Sequence, residues 1–259
     1  MLLQKKIVLV SGIGPGLGRA TALACAQHGA DVVLAARTES RLAEVAAEVE
    51  ALGRRAVCVP VDVSRAGDCT HLVERTMAEF GGIDVLVNNA FKMPPFESLL
   101  DQKVETIQDT FDVNVFAPLR LSQTVVPHMA ARGGGSIVMI NSVILRQAKA
   151  HYGAYKMAKH ALLGLARNLA CEVGPQNIRV NSVAPGYVGD ATVALVAEIE
   201  APARGVAPAE AKQQILEGLM LRRAPEPEEI AEAVVFFASD MSRSITGQCL
   251  DVNSGEFTT

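Results

Sequence analysis

The sequence predicts an α/β fold of three layers, with a doubly wound parallel sheet of about seven strands between two layers of helices. Three observations predict it. Short β-branched runs alternate with long amphipathic runs rich in Ala and Leu, from one end of the chain to the other. The short runs are apolar throughout, without period-two alternation, as strands buried on both faces are. The length of 259 residues, 49% of them apolar, suits one α/β domain with a large core.

In order, residues 7–10 (IVLV) read as a strand, 16–28 as a helix and 31–36 (DVVLAA) as a strand. A helix follows at 39–52, a strand at 56–59, a helix at 69–80 and a strand at 83–87 (IDVLV). Residues 101–131 hold one long helix, bent near Pro118. Then come a strand at 136–140 (SIVMI), a helix at 155–173, a strand at 178–183 (IRVNSV), a helix at 226–238 and a last strand at 249–252. Strict alternation with right-handed crossovers leaves the doubly wound sheet as the natural topology. One compositional break interrupts the pattern. Residues 189–223 are rich in Ala and Glu and contain Pro202 and Pro208. Such an insertion in an α/β domain is usually a mobile lid or a substrate loop, so the expectation is one domain over 1–259 with one helical substrate lid at 189–223.

Bulk chemistry excludes several classes. A net charge of −4 gives no case for nucleic acid or an anionic membrane. The five cysteines form no CxxC pair, and the five histidines show no metal spacing, so no metal is expected. The first residues lack the apolar stretch and cleavage site of a signal peptide, and no apolar run reaches the ~18–20 residues of a membrane span. A cytoplasmic protein acting on a small molecule is expected.

The first strand runs into Ser11-Gly12-Ile13-Gly14-Pro15-Gly16-Leu17-Gly18 and then a helix. Glycines there let the backbone turn sharply and approach a pyrophosphate, which the N–H groups and dipole of the helix N-terminus hold. The spacing is GxxxGxG through Gly12, Gly16 and Gly18; no GK[ST] follows, so it is not a nucleoside-triphosphate loop. A glycine-rich connection without a ligand has the same composition; its place in the first βαβ unit favours a dinucleotide. The cofactor-binding stretch is read as Gly12, Gly14, Gly16, Leu17 and Gly18. NAD sites carry an acid at the end of the second strand, about 20 residues on, for the ribose 2′-hydroxyl. Here the residues are Ala35-Ala36-Arg37-Thr38. Arg37 can pair with a 2′-phosphate, so NADP(H) is favoured and NAD(H) is the alternative. A solvated Arg37 without a phosphate is the bland reading. Asp62, with Val63 beside it, follows the third strand and is placed to take a hydrogen bond from the adenine amino group.

Two Tyr-x-x-x-Lys pairs overlap, Tyr152/Lys156 and Tyr155/Lys159. Each puts its members one helical turn apart. At about 100° per residue, Tyr155 and Lys159 fall beside Leu162, Ala166 and Leu169, on the edge of the apolar stripe. Lys156 falls beside His160 and Arg167, a basic solvent face, so Tyr155/Lys159 is the pair that points to the sheet. A free tyrosine, with a pKa of ~10, is a poor base. A nearby ammonium and an oxidised nicotinamide both favour phenolate; a shift of ~3 units needs about 4 kcal/mol. Ser142 ends the strand at 136–140 on the carboxyl side of the sheet, where its hydroxyl can bond the reacting oxygen.

Together these residues resemble the short-chain dehydrogenase/reductase family, from Ile7 to Gly255. The turn at 11–18 is similar to the family's TGxxxGxG, with Ser in place of Thr. Asp62 matches its adenine-contacting Asp, and Asn88-Asn89-Ala90 its NNAG, with Phe91 in place of the Gly. Asn114, Ser142, Tyr155 and Lys159 match its catalytic tetrad, and Pro185-Gly186 its PG turn. The resemblance implies a Rossmann fold and cofactor contacts from Asn89, Ala90, Tyr155, Lys159, Pro185, Gly186 and Val188. Lys159 would hold the nicotinamide ribose, Val188 the carboxamide, and Asn114 a water in a proton relay. It also implies a homotetramer packed through the helices that hold Asn114 and Tyr155.

The reading that results is hydride transfer between NADP(H) and a carbonyl or secondary alcohol, with Tyr155 as acid and base. Substrate-lining candidates are Phe91, Met93, Val143, Ile144, Gln147, Tyr152 and Tyr187, with Leu195 and Met220 of the lid; most are apolar, which suggests an apolar small molecule, with Ser142 and Tyr155 at its reacting oxygen. An NAD(H)-dependent alcohol dehydrogenase of the same family is the nearest alternative. A non-catalytic dinucleotide-binding scaffold is opposed by the intact tetrad. The Tyr–Lys spacing speaks against an enoyl reductase, and the short C-terminal part against a sugar-nucleotide epimerase.

Overall fold

The computed structural model describes residues 1–258. Seven strands, β1 Ile7–Ser11, β2 Asp31–Ala36, β3 Ala56–Pro60, β4 Val85–Asn88, β5 Gly135–Ile140, β6 Ile178–Pro185 and β7 Cys249–Val252, form one sheet in the order β3-β2-β1-β4-β5-β6-β7. Every neighbouring pair is parallel. The chain winds outward from β1 to β3, then returns to β4 on the other side of β1. The direction of winding therefore reverses between β1 and β4, and the loops after their carboxyl ends open a crevice there.

The strands are apolar on both faces because both faces are covered. Val8, Val10, Val32, Leu34, Val85 and Val87 pack on one side against α1 Leu17–Gln27, α2 Glu39–Ala51 and α9 Pro227–Ala238. Leu9, Val33, Leu86, Ile137 and Met139 face the other side, against α3 Ala66–Phe80, α5 Ala117–Ala131 and α6 Gly153–Val173. Burying one such Val or Leu contributes roughly 1.5–3 kcal/mol, so the paired cores make the carboxyl edge a rigid platform.

One segment differs from the sequence expectation. Residues 101–131 are not one helix bent at Pro118. α4 Val104–Phe111 passes through a five-residue π turn, Asp112–Phe116, into α5. Pro118 lies at the start of α5, directly after the π turn, where Ala117 N already bonds five residues back to Asp112 and the ladder is shifted around the missing N–H. The π turn arises from one extra residue per turn, which a 3.6-residue pattern does not display. The compositional break at 189–223 holds two helices, α7 Gly189–Arg204 and α8 Pro208–Gly218. Pro208 opens α8, while Pro202 lies inside the last turn of α7. These helices share their own apolar cluster, built on Val193, Ala197, Ala201, Ala211, Ile215 and Leu219. Among the described residues no helix is long and apolar enough to cross a membrane.

Candidate active site

The glycine-rich turn lies at the reversal point between β1 and β4. Gly12 has φ +87°, a backbone that L side chains rarely adopt, and a Cβ there would run into the Ala90 backbone. A Cβ on Gly18 would strike the Gly12 carbonyl oxygen. Asn89 locks the two loops together, its Nδ2 donating to that same carbonyl at 2.6 Å. Around Gly14 and Gly16 an added Cβ would meet nothing within 4 Å, so the outer face of the turn is open. Gly16 caps α1, beginning at Leu17, without a side-chain hydrogen bond, and no acid stands in the first turn. This is an uncapped positive helix end beneath an open backbone loop, and a pyrophosphate fits it.

Arg37 is exposed, one residue past β2. Asp62 follows β3, the strand paired with β2 through Ala36 and Pro60. Its carboxylate accepts from the Ser64 hydroxyl at 2.8 Å and the Ser64 N–H at 3.0 Å. The Ser64 hydroxyl, then the Ser64 N–H and the positive charges of Arg37 and Arg65, hold it below the usual carboxylate range. Val63 is buried beneath it. Phe91, which replaces the family glycine, is 60% exposed.

On α6, Tyr155 and Lys159 are buried, while His160 and Arg167 are exposed. The helix-face argument from the sequence thus selects the pair that faces inward. Lys156 is half-buried, and its ammonium donates to the Gln147 carbonyl. Lys159 Nζ donates to the Ile140 carbonyl at 2.8 Å and stands 5.5 Å from the Tyr155 ring centroid. Ser142 stands two residues past Ile140. Its hydroxyl accepts the Ile144 N–H at 3.2 Å, and its own N–H donates to Asn141 Oδ1 at 3.0 Å.

In the protein alone the Tyr155 phenol is not lowered; burial pushes it up to about 12, with Ser142 pulling weakly the other way. Burial also pushes the Lys159 ammonium down to about 7. Desolvation disfavours both charged forms and is the largest cause of each shift.

Asn114 is buried in the π turn. Its Nδ2 donates to Thr110 at 2.9 Å and to the Lys92 carbonyl at 2.8 Å, tying the loop after β4 to the helix. Its Oδ1 is buried with no partner among the described residues. Ile144 is buried; Gln147, Tyr152 and Tyr187 are half-buried. Tyr152 packs edge-on against Phe96 at 5.0 Å and lies under Lys149 Nζ at 4.9 Å. Pro185 ends β6, with Gly186, Tyr187 and Val188 leading into α7.

Sequence reasoning missed three polar groups around this edge. Arg146 clamps Asp251 of β7 through two bonds, at 2.9 and 3.0 Å. Lys149 pairs with Glu200 of α7. Glu256 folds back onto Gly186. All three depend on contacts between residues far apart in the chain, and no local motif carries them.

Proteins of known sequence and structure resemble this chain over nearly its whole length. A family model described as enoyl-(acyl carrier protein) reductase matches residues 12–256. Dehydrogenase/reductase SDR family member 4 of Homo sapiens is 35% identical over 253 residues, covering 98% of this chain and 88% of its own. L-rhamnose 1-dehydrogenase (NAD(P)(+)) of a Sphingomonas species is 35% identical over 261 residues, covering 99% and 98%. The structure of 7α-hydroxysteroid dehydrogenase, complexed with NADH and 7-oxo glycochenodeoxycholic acid, superposes with a TM-score of 0.88 at 31% identity, covering 98% of this chain and 94% of that one. The fold, the open glycine turn and these full-length matches agree: the chain belongs to the short-chain dehydrogenase/reductase family and is an oxidoreductase that works with a nicotinamide dinucleotide.

Proposed function

We propose that the protein transfers a hydride between NADP(H) and a carbonyl or secondary alcohol carbon, with Tyr155 as general acid and base. The observation that carries this reading is the burial of Tyr155 with Lys159 on one helix face, beside Ser142 at the carboxyl edge of the sheet. When bound, the nicotinamide supplies or accepts the hydride. Tyr155 gives its proton to the forming alkoxide in reduction and takes the alcohol proton in oxidation. A phenol raised by burial is protonated at neutral pH, the form that reduction needs. Ser142, fixed through Asn141 and Ile144, bonds the reacting oxygen. Lys159 holds the ribose and, when charged, favours phenolate on Tyr155. Asn114, with its unpartnered Oδ1, holds a relay water.

Gly12, Gly14, Gly16, Leu17 and Gly18 hold the pyrophosphate, Asp62 and Val63 the adenine, and Asn89 and Ala90 the adjoining ribose side. Pro185, Gly186 and Val188 flank the nicotinamide. Arg37, exposed where an acid would stand in an NAD site, takes the 2′-phosphate. NAD(H) is the second reading, favoured by the NADH bound to the 7α-hydroxysteroid dehydrogenase. The chain is one domain in which α7 and α8 form a lid over Ile144, Gln147, Tyr152 and Tyr187, around an otherwise apolar small molecule. Four copies assemble through α5 and α6, where Phe116 at the start of α5 and Met157 on α6 are exposed.

Two variants test the two halves of the reading. Tyr155→Phe lowers kcat by at least about a hundredfold, the scale of general acid catalysis, and leaves cofactor binding within twofold by calorimetry. Loss of activity in Tyr152→Phe with Tyr155→Phe active would reverse the assignment. Arg37→Asp weakens NADPH by about tenfold or more, the scale of a charge-assisted bond, and spares NADH. Equal effects on both coenzymes would remove the 2′-phosphate from Arg37.

A further inference from the structure

The tail after β7 is held in a defined place. Gly186 N donates to Val252 at 3.2 Å, Gly255 N to Asn253 Oδ1 at 2.9 Å and Leu221 N to Ser254 at 3.1 Å. This arrangement lays the Glu256 carboxyl against Gly186: a Cβ built on Gly186 would stand 2.5 Å from Glu256 Oε2. Oε2 is buried and has no hydrogen-bond partner among the described residues. Burial raises this carboxyl to about 7, with Lys149 opposing and Glu200 adding to the rise. A buried carboxyl oxygen without a partner is costly, and stability alone gives no reason to keep it.

Its place relative to the reacting centre follows from the register. Ile140 pairs with Val183 and Asn141 N donates to Val183 at 2.7 Å, so the chain leaving β5 toward Ser142 runs beside the end of β6 at Pro185. Parallel neighbours are about 4.8 Å apart. Gly186, and the carboxyl resting on it, therefore lie at the same carboxyl edge of the sheet as Ser142, at the end of the neighbouring strand. Glu256 and Tyr152 both act electrostatically on the Tyr187 phenol, which puts the three side chains in one neighbourhood, and Ile144 nearby in the chain after Ser142 is buried.

We propose, resting on the oxidoreductase reading of the site, that Glu256 is a specificity-determining residue whose free carboxyl oxygen binds a second hydroxyl of the substrate. The preferred substrate is then a hydroxylated alcohol or its ketone, not a monofunctional one. A hydroxyl suits this site in both charge states, because it donates to a carboxylate and accepts from a carboxylic acid.

Cyclohexanol and the 1,2-, 1,3- and 1,4-cyclohexanediols are the probes, with NADP+ and NAD+, on the full chain. In the wild type at least one diol exceeds cyclohexanol in kcat/KM by about tenfold or more. In Glu256→Ala that ratio falls toward one, mainly through the KM of the diol; Glu256→Gln, which keeps a hydrogen-bonding group, retains part of it. Turnover of cyclohexanol with no diol preference overturns the Glu256 assignment and leaves the oxidoreductase reading standing. So does an unchanged ratio in Glu256→Ala, or an equal loss of NADP+ binding, which would give the oxygen to the cofactor. No turnover of any alcohol, or of the matching ketones with NADPH or NADH, overturns the reading of the site and the assignment with it.

Discussion

Lys159 is almost wholly out of water, and its ammonium donates to the Ile140 carbonyl at 2.8 Å. Burial lowers it from 10.5 to about 7. Between those values the unfolded chain holds a proton that the folded chain does not. Stability from this group therefore rises with pH across that window, at up to about 1.4 kcal/mol per pH unit, and flattens below pH 7. Tyr155 acts oppositely at higher pH: raised from 10.0 to about 12, it keeps its proton in the folded chain, and its stabilisation is lost above pH 10. Urea unfolding of the protein alone at pH 7, 8 and 9 checks the first effect. The wild type gains on Lys159→Met by about 1 kcal/mol or more per pH unit. Parallel stability curves would mean that Lys159 keeps an ordinary pKa. A functional ammonium thus weakens the protein at neutral pH, as groups placed for chemistry commonly do.

At the scale of elements, what was legible in the sequence is what local geometry dictates. The glycine turn is readable because Gly12 and Gly18 occupy places where a Cβ would strike backbone, and such constraints fix residue type directly. Tyr155 and Lys159 are readable because one helix carries both, and the 3.6-residue period sorts them from Tyr152 and Lys156. The central strands β1, β2, β4 and β5 are readable because burial on both faces leaves nearly continuous apolar runs. The π turn is not, since a single inserted residue inside an unbroken helical run leaves the apolar pattern intact. Asn114 was therefore found by its likeness to a family motif, while its backbone setting was not. Arg146 with Asp251, 105 residues apart, and Glu256 on Gly186 are pairings made by the sheet order. Nothing local to either residue records its partner.

Across the whole molecule, α7 and α8 are distinct in having their own apolar cluster, apart from the two that clothe the sheet. Their attachment to the body is correspondingly narrow and polar. Gly189 N donates to Pro225 at 2.9 Å at the start of α7, and Leu221 N reaches Ser254 beyond α8. Between these ends, Glu200 of α7 pairs with Lys149, on the segment that joins Ser142 to α6, and with Arg204 on its own helix. The Lys149 and Glu200 side chains are 28% and 17% exposed, sheltered more than a surface pair, so their link is worth about 1 kcal/mol. If α7 and α8 act as the lid proposed above, that is about a fivefold change in its open fraction. Lys149→Ala should raise hydrogen exchange of the α7 and α8 amides about fivefold while the sheet amides hold their rates. It should raise the KM of the alcohol or ketone several-fold with a smaller change in kcat, since Tyr155 and Ser142 stand on other elements. Faster exchange throughout the chain would show that Lys149 supports the fold as a whole. Unchanged exchange in α7 would show that apolar packing alone holds these helices down.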